Sequence, residues 1–279
     1  MPRNISTTLN YFEPLDEEAP YQYALTAPEG KLLHNLGVDT RPVIIHDARG
    51  KQESFSLDKN GFQFVRHVSQ ETSFEDDEEI KTTYYEEGGV LFWHREGASH
   101  FTNFASLRLS SVIFGRRKRN HNGEDEPGAR GPVERVHVDQ TFDASVLRVQ
   151  RELGDEADHY LKGRVRIINV WRPIRNPVAH KPLAVSDWRC LVPERDLVSV
   201  RLIYPNRTSS TFSVLHNPDH KWYYLADQTP EEVTLIKCYD SAVDRARLSP
   251  HSAFLDKTSP PEAPHRESIE VRCLAFDVE

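Results

Sequence analysis

The chain has 279 residues, with 43 Asp and Glu against 35 Lys and Arg, and the resulting charge of −8 argues against a general nucleic-acid binder, which needs a basic face to displace counterions. Aromatic residues at 10% exclude a fully disordered chain, and no run of 18 apolar residues is present, so no transmembrane helix is expected. Cys190, Cys238 and Cys273 lie far apart without a Cys-x-x-Cys pair, which excludes a zinc ribbon or disulfide framework and leaves buried thiols.

Met1 to Asn10 is polar and lacks the apolar core of a signal peptide, so the expected address is the cytosol. Residues 1–50 carry Pro14, Pro20 and Pro28 at short intervals and read as an extended arm, ending in a short strand over Pro42 to Asp47. Glu53 to Leu57 and Gly61 to Val65 alternate polar and apolar residues, as half-buried strands do. An acidic stretch follows, and a helix from Phe74 to Tyr85 is expected, with Ser73 as its cap and carboxylates in its first turn. Phe104 to Phe114 fits a strand pair or a helix, and Arg116 to Arg119 reads as an exposed basic strand end beside the polar loop 121–132.

From Val133 the pattern is clearer. Val136 to Thr141 is a short strand, and Ala144 to Tyr160 is helical, with Asp143 as candidate cap. Val165 to Trp171 is a strong strand stopped at Arg172-Pro173. Further strands fall at Val198 to Tyr204, Thr211 to Leu215, Trp222 to Leu225, Thr234 to Tyr239 and Glu270 to Phe276. Their spacing fits a mostly β sandwich or barrel with flanking helices. One domain spans 1–279: the arm, a segment 88–132, and a barrel core 133–279.

The residues that carry chemistry are His137-Val138-Asp139 and His251. Residues i and i+2 of a strand share a face, so His137 and Asp139 present an imidazole and a carboxylate side by side. Two His and one carboxylate make a facial triad that leaves metal positions open, the arrangement of non-haem Fe(II) oxygenases. His216, His220 and His265 compete with His251 for the third place. Arg266 follows His251 by 15 residues, and Arg266 and Ser268 again share a face. A guanidinium grips a carboxylate through two hydrogen bonds and the hydroxyl adds a third, which suits the distal end of 2-oxoglutarate. Arg272 is a rival anchor without the serine.

In combination these motifs resemble the fungal Fe(II)/2-oxoglutarate oxygenases of the gibberellin desaturase and aspergillic-acid hydroxylase type, related to the cephamycin methoxylation proteins. Thr7 to Phe12, His46 to Lys51, Gly61-Phe62-Gln63, Val136 to Gln140, Asn169 to Pro173, Pro182 to Val185, Pro250 to Phe254 and Arg266 to Arg272 carry the resemblance. It covers residues 1–85 and 116–279, while 88–115 departs from the family's pattern.

The resemblance implies a double-stranded β-helix, or jelly roll. It implies iron on His137, Asp139 and His251, and 2-oxoglutarate on Arg266 and Ser268. O2 completes the set, for hydroxylation or desaturation of a small secondary-metabolite intermediate. No nucleic-acid or membrane partner is expected. Asn169, Trp171 and Arg172 are candidate substrate contacts, with Arg172 alternatively paired to Asp187. The divergent segment leaves a catalytically silent small-molecule-binding barrel of the same fold as the alternative.

Overall fold

The computed structural model describes residues 2–76, 79–84, 87, 131–277 and, for the main chain, 105–113. Its strands are β1 (Ile5–Pro14), β2 (Tyr21–Tyr23), β3 (Leu36–Asp47), β4 (Phe62–Arg66), β5 (Ala105–Ile113), β6 (His137–Val138) and β7 (Arg164–Pro173). Then come β8 (Leu183–Ser186), β9 (Leu197–Tyr204), β10 (Arg207–Val214), β11 (Trp222–Tyr224), β12 (Glu232–Asp240), β13 (His251–Ala253) and β14 (Ser268–Asp277).

They form a nine-stranded sheet, ordered β1-β3-β11-β8-β13-β6-β10-β9-β2, and a five-stranded sheet, ordered β4-β12-β7-β14-β5. The sheets face each other: Asn169 on β7 and Arg272 on β14 both hydrogen-bond Asp139, which follows β6. This is the expected jelly-roll arrangement. Period-two burial builds it. On β14, Ile269, Val271 and Cys273 pack with Ile168 and Val170 of β7 on one face of the small sheet. Ser268 and Glu270 alternate with them and line the interior. The large sheet buries Tyr11, Ile45, Trp222 and Tyr224, and the Trp222 indole donates to the Tyr11 hydroxyl at 2.8 Å. Each such side chain contributes about 1.5–3 kcal/mol by leaving water, and the internal hydrogen bond removes the cost of burying the two polar ends.

Several expectations change. Residues 5–47, read as an arm, contribute a ten-residue antiparallel ladder, Ile5 opposite Ile45 through Pro14 opposite Leu36, built into the edge of the large sheet. Glu53 to Leu57 is not a strand. It gives way to a 3₁₀ turn, Gln52–Ser54, and a short helix, Leu57–Asn60. The Ser56 hydroxyl caps that helix by accepting from the Lys59 amide. Gly61 ends it at φ +84°, where an added Cβ would lie 2.4 Å from the Leu248 carbonyl oxygen.

In the acidic segment the described helical part is the π-helical turn Ile80–Tyr84. Phe74 has φ +49°, so no helix runs through it. The longest helix, Phe142–Leu153, is capped by Thr141 rather than Asp143, with Thr141 Oγ1 accepting from the Ala144 amide at 3.2 Å. Residues 105–113 resolve to the single strand β5. The basic run 116–119 and the rest of 88–132 apart from 105–113, 131 and 132 lie outside the described residues.

Candidate metal centre

His137 and His251 are far apart in sequence and directly paired in space, because β6 and β13 are antiparallel neighbours with these two residues in register. Their ring centroids lie 4.4 Å apart. Asp139 completes the group, and one ligand atom from each of the three side chains lies within 4.8 Å of the others. His137 Nε2 is 3.6 Å from Asp139 Oδ1, and His251 Nε2 is 3.9 Å from Oδ2. Among the described residues, no other cluster of three His, Cys, Asp or Glu side chains is placed to share an ion.

Both imidazoles are oriented from behind. His137 Nδ1 donates to the Arg135 carbonyl at 2.8 Å, and His251 Nδ1 donates to the Ser249 carbonyl at 3.1 Å. A carbonyl only accepts, so each neutral ring carries its proton on Nδ1 and aims the Nε2 lone pair at the shared point. That is the tautomer of a metal-ligating histidine, and the donor set of two imidazoles and one carboxylate fits Fe(II).

The electrostatics of the site centre on the Asp139 carboxylate. Although burial opposes its charge, Asp139 is held well below the usual carboxylate range, chiefly by the Arg272 guanidinium and then by the two histidines. Burial disfavours a charge on His137 too, but the hydrogen bond and charge of Asp139 outweigh it and raise its pKa. Burial, reinforced by His137, lowers His251 to about 4. Burial beside Asp139 pushes Glu270 up to about 7.

The triad opens on a cavity of about 180 Å³, which Trp171, Arg266, Ser268 and Glu270 also line. Arg266 donates from Nη1 to the Lys181 carbonyl at 2.7 Å, and its guanidinium lies 5.3 Å from the centre of the Trp171 ring. The structure therefore brings His137, Asp139, His251, Arg266, Ser268 and Trp171 to one cavity. The rival histidines lie elsewhere: His216 and His220 pack against Tyr11, and His265 faces His180.

One expected substrate contact is corrected. Arg172 points to the opposite face of β7 from Trp171, where it donates to the Tyr84 hydroxyl, His67 and the Pro230 carbonyl. It does not reach Asp187, whose partners are Asn60 and Arg189. Neighbouring strand residues point to opposite faces, so Trp171 and Arg172 cannot both meet the cavity. Asn169 is on the inner face, where its amide donates to Asp139 and Glu270, both of which line the cavity. Arg272 is not an anchor in the cavity; it pairs with Asp139 at 2.7 Å. Glu270 escaped notice, though its place two residues after Ser268 put it on the same face.

A family model described as an oxidoreductase/YMDC permease-like domain matches residues 9–276. The hydroxylase/desaturase efuI of Hormonema carpetanum is 36% identical, across 98% of this chain and 95% of its own. The Fe(II)/2-oxoglutarate-dependent dioxygenase nvfI of Aspergillus novofumigatus is 34% identical, across 91% of this chain and 90% of its own. The chain belongs to this family of fungal Fe(II)/2-oxoglutarate-dependent oxygenases. A solved structure of the iron- and α-ketoglutarate-dependent endoperoxidase NvfI superposes with a TM-score of 0.84 at 30% identity, covering 99% of both chains. No helix among the described residues is long and apolar enough to cross a membrane.

Proposed function

We propose that the protein hydroxylates or desaturates an unactivated C–H bond of a small secondary-metabolite intermediate, using Fe(II), 2-oxoglutarate and O2 and decarboxylating 2-oxoglutarate to succinate and CO2. One observation carries this reading. The three converging ligand atoms and the Arg266–Ser268 pair line the same cavity. His137 and His251 hold the metal through Nε2 and Asp139 through a carboxylate oxygen. Arg266 and Ser268 take the distal carboxylate of 2-oxoglutarate. When bound, the iron and keto acid supply the oxidising power that no protein side chain has.

The chain's own part is placement and exclusion. Asp139 offsets part of the metal's charge. Trp171 and the Lys181 carbonyl hold the Arg266 guanidinium in one orientation, so less freedom is lost when the dicarboxylate docks. Leu183, Ala253 and Val133 add apolar wall that keeps water from the reacting carbon.

The test is anaerobic absorption spectroscopy with Fe(II) and 2-oxoglutarate. A weak metal-to-ligand charge-transfer band is expected in the wild-type protein and is lost in His137→Ala. Normal iron and keto-acid binding in that variant would sink the assignment.

A further inference from the structure

We propose that Arg272 and Asn169 are positioning residues that lock Asp139 so that it offers one oxygen, not two, to the metal; this rests on the metal site proposed above. Four hydrogen bonds carry the inference. Arg272 Nη2 donates to Asp139 Oδ2 at 2.7 Å, and Asn169 Nδ2 donates to the same oxygen at 2.5 Å. The two clamps also hold each other, through Arg272 Nε on Asn169 Oδ1 at 3.0 Å. Asn169 Nδ2 is further fixed by Glu270 Oε1 at 2.9 Å. The amide orientation follows from the chemistry: its nitrogen faces two carboxylates and its oxygen a guanidinium.

Two nitrogen donors, one of them charged, hold Oδ2, and the Cys238 thiol donates to the same oxygen at 3.6 Å. Ligation through Oδ2 would break a charge-assisted hydrogen bond in a buried site, where an abandoned donor is costly. Oδ1 is the oxygen left to the metal, on the side of His137 Nε2. The consequence is a count of positions. A carboxylate free to turn is able to chelate with both oxygens and fill a place that the keto acid or O2 needs. The clamp prevents this, and it does so at a cost to affinity, because a guanidinium close to a dication repels it. Arg272 thus weakens metal binding and protects co-substrate binding. A merely structural Arg272 would support both.

Those opposite signs make the test. Co(II) affinity is measured by titration of the metal-free protein, and 2-oxoglutarate affinity by calorimetry on the Co(II)-loaded protein without O2. Arg272→Met is expected to bind Co(II) about tenfold tighter and 2-oxoglutarate about tenfold more weakly. Asn169→Ser keeps every charge, so Co(II) affinity should stay within about twofold of wild type while 2-oxoglutarate affinity falls roughly three- to fivefold. Should Arg272→Met not fold, Asn169→Ser alone decides. Metal and keto-acid affinity falling in parallel, or keto-acid affinity unchanged, overturns the clamp. A wild-type protein that binds no Co(II) overturns the metal site and the clamp together. Wild-type binding of both, matched by the variants, overturns the clamp alone.

Discussion

Replacing Arg266 by Met probes the co-substrate grip most directly. The guanidinium is positioned by the Lys181 carbonyl at 2.7 Å and by the Trp171 ring at 5.3 Å, and it faces the cavity that holds the triad. Methionine keeps most of the side-chain volume and removes the charge. Losing one partner of a partly buried charged pair costs about 3 kcal/mol in the complex, and at 1.4 kcal/mol per decade that is about a hundredfold in affinity for 2-oxoglutarate. The lost bond to Lys181 costs the free protein only about 1 kcal/mol. KM for 2-oxoglutarate is therefore expected to rise about a hundredfold, with kcat at saturating keto acid changed far less.

Trp171→Phe tests the positioning part separately. A smaller ring weakens the cation–π contact by about 0.5–1 kcal/mol, which raises the same KM roughly two- to fivefold. Succinate formation over a range of 2-oxoglutarate concentrations measures both variants. If Arg266→Met left KM within threefold of wild type, the anchor assignment would be wrong. If it lowered kcat and left KM alone, Arg266 would be acting on the reaction instead of on the dicarboxylate.

Gly61→Ala should cost about 3 kcal/mol, seen as a drop of roughly 6–10 °C in thermal unfolding, because φ is +84° and the new Cβ would meet the Leu248 carbonyl oxygen at 2.4 Å. A loss below about 1 kcal/mol would mean that the backbone there yields easily. Asp196 gives a pH signature away from the metal site. Burial opposes its charge, but Arg195, the Val192 amide, Asn217 and His220 hold it down to about 2, from an ordinary 3.8. A carboxylate lowered by folding contributes stability that is full above 3.8 and is lost as pH falls through 2. Asp196→Asn should therefore lose about 1–2 kcal/mol at pH 7, with the gap to wild type closing between about pH 4 and pH 2. A gap that stays constant down to pH 2.5 in paired melts would contradict this account.

Much of the site was legible because strand geometry is simple. The period-two count brought His137 together with Asp139 and Arg266 with Ser268, although Asp139 lies just after β6 and Arg266 two residues before β14. Carrying the same count onward reaches Glu270 and Arg272, and carrying it along β7 puts Asn169 and Trp171 inside and Arg172 outside. Grouping Arg172 with Trp171 set that rule aside, and the structure restores it. The short helix Leu57–Asn60 was hidden for another reason. Over five residues, a period of 2 and a period of 3.6 are hard to tell apart, and the better signal was the cap pair, Ser56 before it and Gly61 after it. The β1–β3 ladder was hidden because its partners pair across a long intervening segment, so local composition recorded the prolines but not the sheet.

What the sequence could not display is how the two sheets divide the work. The candidate metal ligands come from β6 and β13 and the residue after β6, and these strands are two and three residues long. Such short strands do not fix a side chain to within a fraction of an ångström by their own ladders. They gain it from outside: from backbone carbonyls behind each imidazole, and from the opposite sheet through Arg272 and Asn169. Those two residues sit on β14 and β7, ten residues each and paired along their full length at the centre of the small sheet. The stiffer sheet thus orients a ligand carried by the shorter strands. Through Ser268, and through Arg266 just ahead of it, the same strand β14 reaches the cavity. Moving β14 relative to β6 would disturb ligand geometry and co-substrate grip together, so Ser268 and Arg272 on one strand, with Arg266 two residues before it, tie the two functions to a single element.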